Sequence, residues 1–216
     1  MSRVRILVGA VAIVALFAVV GSAAADTYLL TFEGLKDYEP IANYYNGGTG
    51  GSGSGPGPNY GITFGSDSLA IIEAASGGSG NFFNEPTRDT VAFFTSGPGV
   101  VMNVAGGFNT EFSTYYSSAY YPGTITVWDG PDATGSLLAS LDLPVTPTTG
   151  QSGYVYDNWQ DVNVFFNGTA KSVDFGGTAN YIAFDNVKLG AVPEPGTMAL
   201  LAMGIMGLIA KRKRAA

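Results

Sequence analysis

Between residues 26 and 191, apolar and polar side chains alternate over short runs ended by Gly, Pro, Asn or Asp, and no stretch sustains the 3.6-residue period of a packed helix. A period of two sends successive side chains to opposite faces of an extended chain, so such runs predict strands with one face on a core and the other in water. The runs fall at 27–32, 62–64, 69–72, 90–94, 100–104, 110–116, 123–128, 137–143, 159–165, 170–175 and 181–189. Alternation is plainest in Thr124-Ile125-Thr126-Val127-Trp128 and Val162-Asn163-Val164-Phe165. About ten strands without crossover helices predict an all-β fold: a two-sheet antiparallel sandwich of jelly-roll type.

Both ends of the chain break the strand pattern. Arg3 and Arg5 precede 15 uncharged residues, Ile6 to Val20, and Ala23 and Ala25 then stand in the A-x-A relation of a signal-peptidase site. This predicts a secretory signal helix over 1–25, because 15 apolar residues fall short of the roughly 20 that span a bilayer. At the other end, Pro193-Glu194-Pro195 leads into an apolar run closed by Lys211-Arg212-Lys213-Arg214. Two prolines around a glutamate deny that segment a helix, the apolar run halts translocation, and four cations hold the extreme end in the cytoplasm. The expected organisation is a signal at 1–25, one β-sandwich domain at 26–191, and a tail with a short membrane helix at 192–216.

The tail resembles the PEP-CTERM sorting signal, with the match resting on Pro193, Glu194 and Pro195 followed by the short apolar helix and basic end. The resemblance implies a transient membrane anchor read by an exosortase-type membrane protease. It also implies export to the envelope or extracellular surface of a Gram-negative bacterium that makes exopolysaccharide.

Charge is divided in the same way. Residues 26–195 hold all 17 acidic side chains against Lys36, Arg88, Lys171 and Lys188, a formal charge of −13. A body so acidic is repelled by nucleic acid, which is excluded as a partner, and it attracts divalent cations. With no Cys and no His in the chain, thiolate zinc sites, Ser-His-Asp triads and Cys-His pairs are also excluded.

In a jelly roll the first and last strands commonly pair, which would bring Glu33 near Asp185. Two carboxylates placed together repel unless a cation lies between them, and calcium accepts carboxylate, Asn and carbonyl oxygens without rigid geometry. The pattern is similar to the calcium-bearing β-sandwich of carbohydrate-binding modules. That resemblance implies Glu33 and Asp185 as ligands of a structural calcium, with Asn186 as a third. As ordinary strand-end residues, the same side chains would simply be solvated.

Two groups of aromatic residues lie outside clear alternation: Tyr115, Tyr116, Tyr120 and Tyr121, and then Tyr154, Tyr156 and Trp159 beside Asp157 and Asn158. Flat rings offer an apolar face to a sugar while Asp and Asn bond its hydroxyls, so Tyr154, Tyr156 and Trp159 are the candidate ligand-binding residues; the competing reading is that these aromatics fill the core and line strand faces, as β propensity predicts. The glycine-rich tract 47–58 reads as a flexible loop, or as a close-approach loop whose bare backbone carbonyls help ligate a cation or let a glycan chain lie flat.

The expected function is that of an exported, non-catalytic module associated with exopolysaccharide. A structural matrix or coat protein without a discrete ligand is the second reading. A polysaccharide hydrolase is the third, since a two-carboxylate mechanism needs neither His nor Cys.

Overall fold

A computed structural model describes residues 26–150 and 153–192. The signal over 1–25, the Pro193-Glu194-Pro195 motif and the membrane helix after it lie outside the described residues. Ten strands follow one another: β1 (Asp26–Leu30), β2 (Glu39–Pro40), β3 (Ile62–Phe64), β4 (Leu69–Ile72), β5 (Thr90–Phe93), β6 (Gly99–Ser117), β7 (Gly123–Trp128), β8 (Leu137–Leu143), β9 (Gln160–Gly176) and β10 (Ala183–Val192). One short 3-10 turn, Ala74–Ser76, interrupts them. All strand pairings are antiparallel, in the order β2-β4-β5-β10-β6-β9-β7-β8, with β1 on β10 and β3 on β6. The all-β antiparallel expectation therefore stands.

Three boundaries differ from the sequence reading. Segments 100–104 and 110–116 are one strand, β6, and segments 159–165 and 170–175 are one strand, β9. Gly106-Gly107 and Asn167-Gly168 look like turns in sequence, yet the two strands stay paired past them through register shifts between Asn103 and Glu111. Such bulges insert residues and bend a ladder without ending it. The two-residue β2 was not anticipated, because Glu39-Pro40 has no alternation to show.

The bends in β6 and β9 fold the sheet on itself. One half comprises β3, β7 and β8 with the Gly99 end of β6 and the Gly176 end of β9; the other comprises β1, β2, β4, β5 and β10 with the opposite ends of the long strands. Inward positions from both halves form one core. Phe175 meets Phe112 at 5.9 Å and Phe184 at 5.2 Å between ring centres, and Phe32 meets Phe64 at 6.0 Å. These buried rings stabilise by about 2 kcal/mol or more each through area removed from water.

The glycine-rich tract is folded, and its anchor is Glu39. This carboxylate is 0% exposed and accepts hydrogen bonds from Lys36 N–H (2.7 Å), Ser52 N–H (2.8 Å), Ser54 N–H (3.0 Å) and the Ser54 hydroxyl. Burial alone would raise the Glu39 pKa, but the four donors outweigh it and hold the value below the usual carboxylate range. Glycine is required for the approach: a Cβ on Gly50 would stand 2.5 Å from Glu39 Oε1. The tract 47–58 is thus an ordered loop and not the flexible one expected, and its bare backbone does permit a close approach. The approach is to a buried carboxylate of the domain itself.

Candidate functional site

Two places gather side chains with chemistry to offer. The first lies where the chain leaves β1 and enters β10. Leu30 pairs with Val187, and the turn after β1 carries Glu33 back toward Asp185. Glu33 Oε1 accepts from the N–H groups of Asp89 and Thr90, both at 3.2 Å. Asp185, fully buried, accepts from Thr87 N–H at 3.0 Å and Asn186 N–H at 2.6 Å, while the Thr87 hydroxyl donates to Asn186 Oδ1 at 2.6 Å. The segment before β5 is thus clamped by Glu33, Asp185 and Asn186.

That clamp concentrates negative charge. Burial, then the charges of Glu33 and Glu85, push Asp185 up to about 8. Burial first, and then Glu73, Asp89 and Glu33, push Glu85 up to about 7, and Glu33 is raised chiefly by burial. Glu85 adds an observation that sequence did not supply: its Oε2 is buried and has no hydrogen-bond partner. Glu85 Oε2 is thus an orphaned carboxylate oxygen whose charge acts on Asp185 together with that of Glu33, and such an oxygen is of the kind a hard cation takes. Among the described residues no three acidic side chains already converge at ligand spacing, and backbone carbonyls or Asn186 would have to complete the shell.

The second place is a groove of about 310 Å³ on the outer face of the β4-β5-β10 sheet. Its floor follows from strand alternation. Ala70, Ala92 and Phe184 point into the main core, so Ile71, Phe93 and Ala183 point out, where Phe82 packs with them as a second small core. Tyr38, Tyr120, Tyr156 and Tyr181 form the walls, with Asn81 and Asn180 at the rim. Tyr38 meets Phe93 edge-on at 5.3 Å, and Tyr120 meets Tyr156 at 6.3 Å and Tyr181 at 6.2 Å. Buried Ser118 fixes the two tyrosine-bearing turns, its hydroxyl reaching the carbonyls of Tyr121 at 2.5 Å and Tyr181 at 3.0 Å.

Among the described residues no charged side chain lines this groove, although the body around it carries −13. The Tyr156 hydroxyl is pushed up to about 12 by burial and then by Tyr120, Tyr181 and Tyr121, so it stays a neutral donor and acceptor at physiological pH. An uncharged trough of aromatic faces with amides and phenols at its edge can bind a flat, hydroxyl-rich neutral ring.

Of the three aromatics singled out in sequence, the structure places only Tyr156 in the groove. Trp159 stands behind the floor, edge-on to Phe82 at 6.2 Å, and its Nε1–H donates to the Phe83 carbonyl at 3.0 Å. Tyr154 stacks on Phe83 at 5.7 Å, outside the groove lining. From the other aromatic group, Tyr116 is core, whereas Tyr120 (57% exposed) stands in the wall. Tyr38 and Tyr181 were missed. Each is a single aromatic in a turn, and no spacing in the sequence joins them. The loop Trp128 to Gly135 is held by turn bonds, Asp129 Oδ1 accepting from Ser136 N–H at 2.6 Å.

Residues 191–214 match the PEP-CTERM protein-sorting motif. The chain therefore carries the signal of an exported, surface-sorted protein, and the motif implies exosortase processing. No curated protein matches the sequence. Among solved structures, the body is similar to a glycoside hydrolase family 43 arabinoxylan arabinofuranohydrolase from Bacillus subtilis in complex with cellotetraose, at 20% identity and TM-score 0.40 over 60% of this chain and 26% of that one. It is also similar to a carbohydrate binding module from Cellvibrio mixtus lichenase 5A in complex with cellotriose, at 12% identity and TM-score 0.37 over 59% of this chain and 88% of that one. A third similar structure is the K3 cleaved adhesin domain of Lys-gingipain from Porphyromonas gingivalis, at 13% identity and TM-score 0.36 over 59% and 93%. The chain thus spans about a quarter of the first of these proteins, 26% of its length.

Proposed function

We propose that this chain is a cell-envelope protein of a Gram-negative bacterium whose jelly-roll domain binds neutral exopolysaccharide without cleaving it. One observation carries the reading: the groove walled by Tyr38, Tyr120, Tyr156 and Tyr181 is free of charged lining side chains in a strongly acidic domain. Anionic glycans would meet the field of the whole body, whereas a neutral chain meets only rings, amides and phenols. With no carboxylate among the groove's described lining residues, no two-carboxylate hydrolysis is assigned to it. The exosortase acts at Pro193-Glu194-Pro195 after export, and the basic end remains in the cytoplasm until then.

Calcium belongs to the fold in this reading. Glu33, Glu85 and Asp185, with Asn186 beside them, hold it, and it removes their mutual repulsion without entering the glycan groove.

Affinity electrophoresis of the secreted protein through gels containing neutral glycans or the host's own exopolysaccharide tests the proposal. Retardation that disappears in Tyr120→Ala and Tyr181→Ala, with melting temperatures unchanged, is expected. Unaltered migration in every gel, together with self-association of the protein, would favour the structural matrix reading instead.

A further inference from the structure

The sheet brings the two ends of the domain together. The backbone of Asp26, the first residue after the predicted signal, pairs with Val192, the residue just before Pro193. The chain therefore enters and leaves at one pole. The rest of that pole is set by register. Leu189 lies beside Phe112, Phe112 beside Val164, and the following residue, Phe165, pairs with Glu111. Its side chain points away from the core between buried Val164 and Phe166 and is 68% exposed, the highest value for a large apolar side chain among the described residues. At two strand spacings, Phe165 stands about 10 Å from the line of β10.

The tether is short. Four residues, Pro193 to Gly196, separate β10 from the apolar run that begins at Thr197, so at most about 17 Å of extended chain joins the folded domain to the hydrocarbon. A headgroup layer takes up roughly 5–8 Å of this. The exit pole is thus held near the lipid surface whatever the rest of the domain does. β10 runs from this pole to the groove, since Ala183 at its other end is a lining residue, and its ten residues cover about 30 Å.

We propose that, before the tail is cut, the pole where β1 begins and β10 ends rests on the lipid headgroups with Phe165 in the interface, and that the tyrosine groove is held outward. This rests on the tail acting as a membrane anchor. The long axis of the domain then stands away from the bilayer, and an incoming glycan reaches the groove without meeting lipid. Phe165 gives the pole an apolar ring able to enter the headgroup boundary; exposed Glu111 pairs beside it, and the acidic groups Glu33, Glu85 and Asp185 lie farther along β10 from the surface.

The chain has no cysteine, so single-cysteine labels report one position each. Full-length protein carrying Asn167→Cys, next to Phe165, or Thr178→Cys, near the groove, is labelled with a fluorophore and reconstituted into phosphatidylcholine vesicles containing a headgroup spin-labelled lipid. The label at 167 is expected to be quenched at least about threefold more than that at 178, because the headgroup layer does not extend to a site about 30 Å above the pole. Adding Phe165→Ser, an exposed change that leaves the core intact, is expected to reduce quenching at 167 and not at 178. Equal quenching at the two positions in protein that floats with the vesicles would overturn the upright orientation alone. Protein that fails to float at all would overturn the anchor reading, and the orientation with it.

Discussion

Replacing Glu39 by Gln is the sharpest probe of how the glycine-rich tract is held. The wild-type carboxylate is fully buried, with Oε1 accepting from Ser52 and Ser54 N–H and Oε2 from Lys36 N–H and the Ser54 hydroxyl. An amide of the same shape keeps one acceptor and turns the other into a donor. The less costly orientation puts nitrogen at Oε2, where the Ser54 hydroxyl can rotate to accept, and leaves Lys36 N–H without a partner. One orphaned backbone donor costs about 1–3 kcal/mol, and the surviving bonds lose their charge assistance, so a total near 3 kcal/mol is expected. In a domain of this size that lowers the melting temperature by roughly 6–12 °C. The readout is circular-dichroism melting at neutral and acid pH. Because Glu39 has a depressed value in the fold, its contribution is full above the unfolded glutamate value of about 4.3 and is lost as pH falls through the folded value. The gap between wild type and Glu39→Gln should therefore close in acid. A variant melting within about 1 °C of wild type at pH 7 would refute the assignment of the tract's order to this carboxylate.

Other perturbations separate the remaining claims. Gly50→Ala, which drives a Cβ against Glu39 Oε1 and Leu35, should destabilise by about 1–3 kcal/mol in urea titration, whereas Gly53→Ala meets no neighbouring atom and should cost only about 1 kcal/mol, from its φ of 88°. In EDTA the domain should lose stability as pH rises from about 4 toward 8, because Asp185 and Glu85 are raised in the fold and must ionise there. Calcium at 100-fold over its dissociation constant should restore about 2.7 kcal/mol at pH 8, by calorimetry, and Asp185→Asn should remove the calcium response and reduce the pH slope to the part that Glu85 contributes. Tyr120→Ala should weaken glycan binding by tenfold or more in affinity electrophoresis. Trp159→Ala should instead lower the melting temperature, since Trp159 supports Phe82 and the groove floor from behind.

The strand class was legible because period-two alternation is a local property, and 69–72, 123–128 and 137–143 appear at those bounds in the fold. The pairing of first and last strands followed from topology, and it gathers Glu33, Asp185 and Asn186 about one segment. Glu85 was out of reach, because its relevance comes from an oxygen left without a partner by the packing around it. The groove was half legible. Clustering drew attention to Tyr156 and Tyr120, but the same cue also pointed to Trp159 and Tyr154, which face other neighbours.

The sequence by itself determined what depends on order along the chain: the strand period, the C-terminal sorting motif, and the sign of charge in each region. Tertiary structure alone decided which rings share a groove and which carboxylate orders the glycines. Side-chain direction at a turn, and the company a buried oxygen keeps, depend on contacts between residues far apart in sequence. Tyr38 and Tyr181, 143 positions apart, become walls of one site only when β4, β5 and β10 lie side by side.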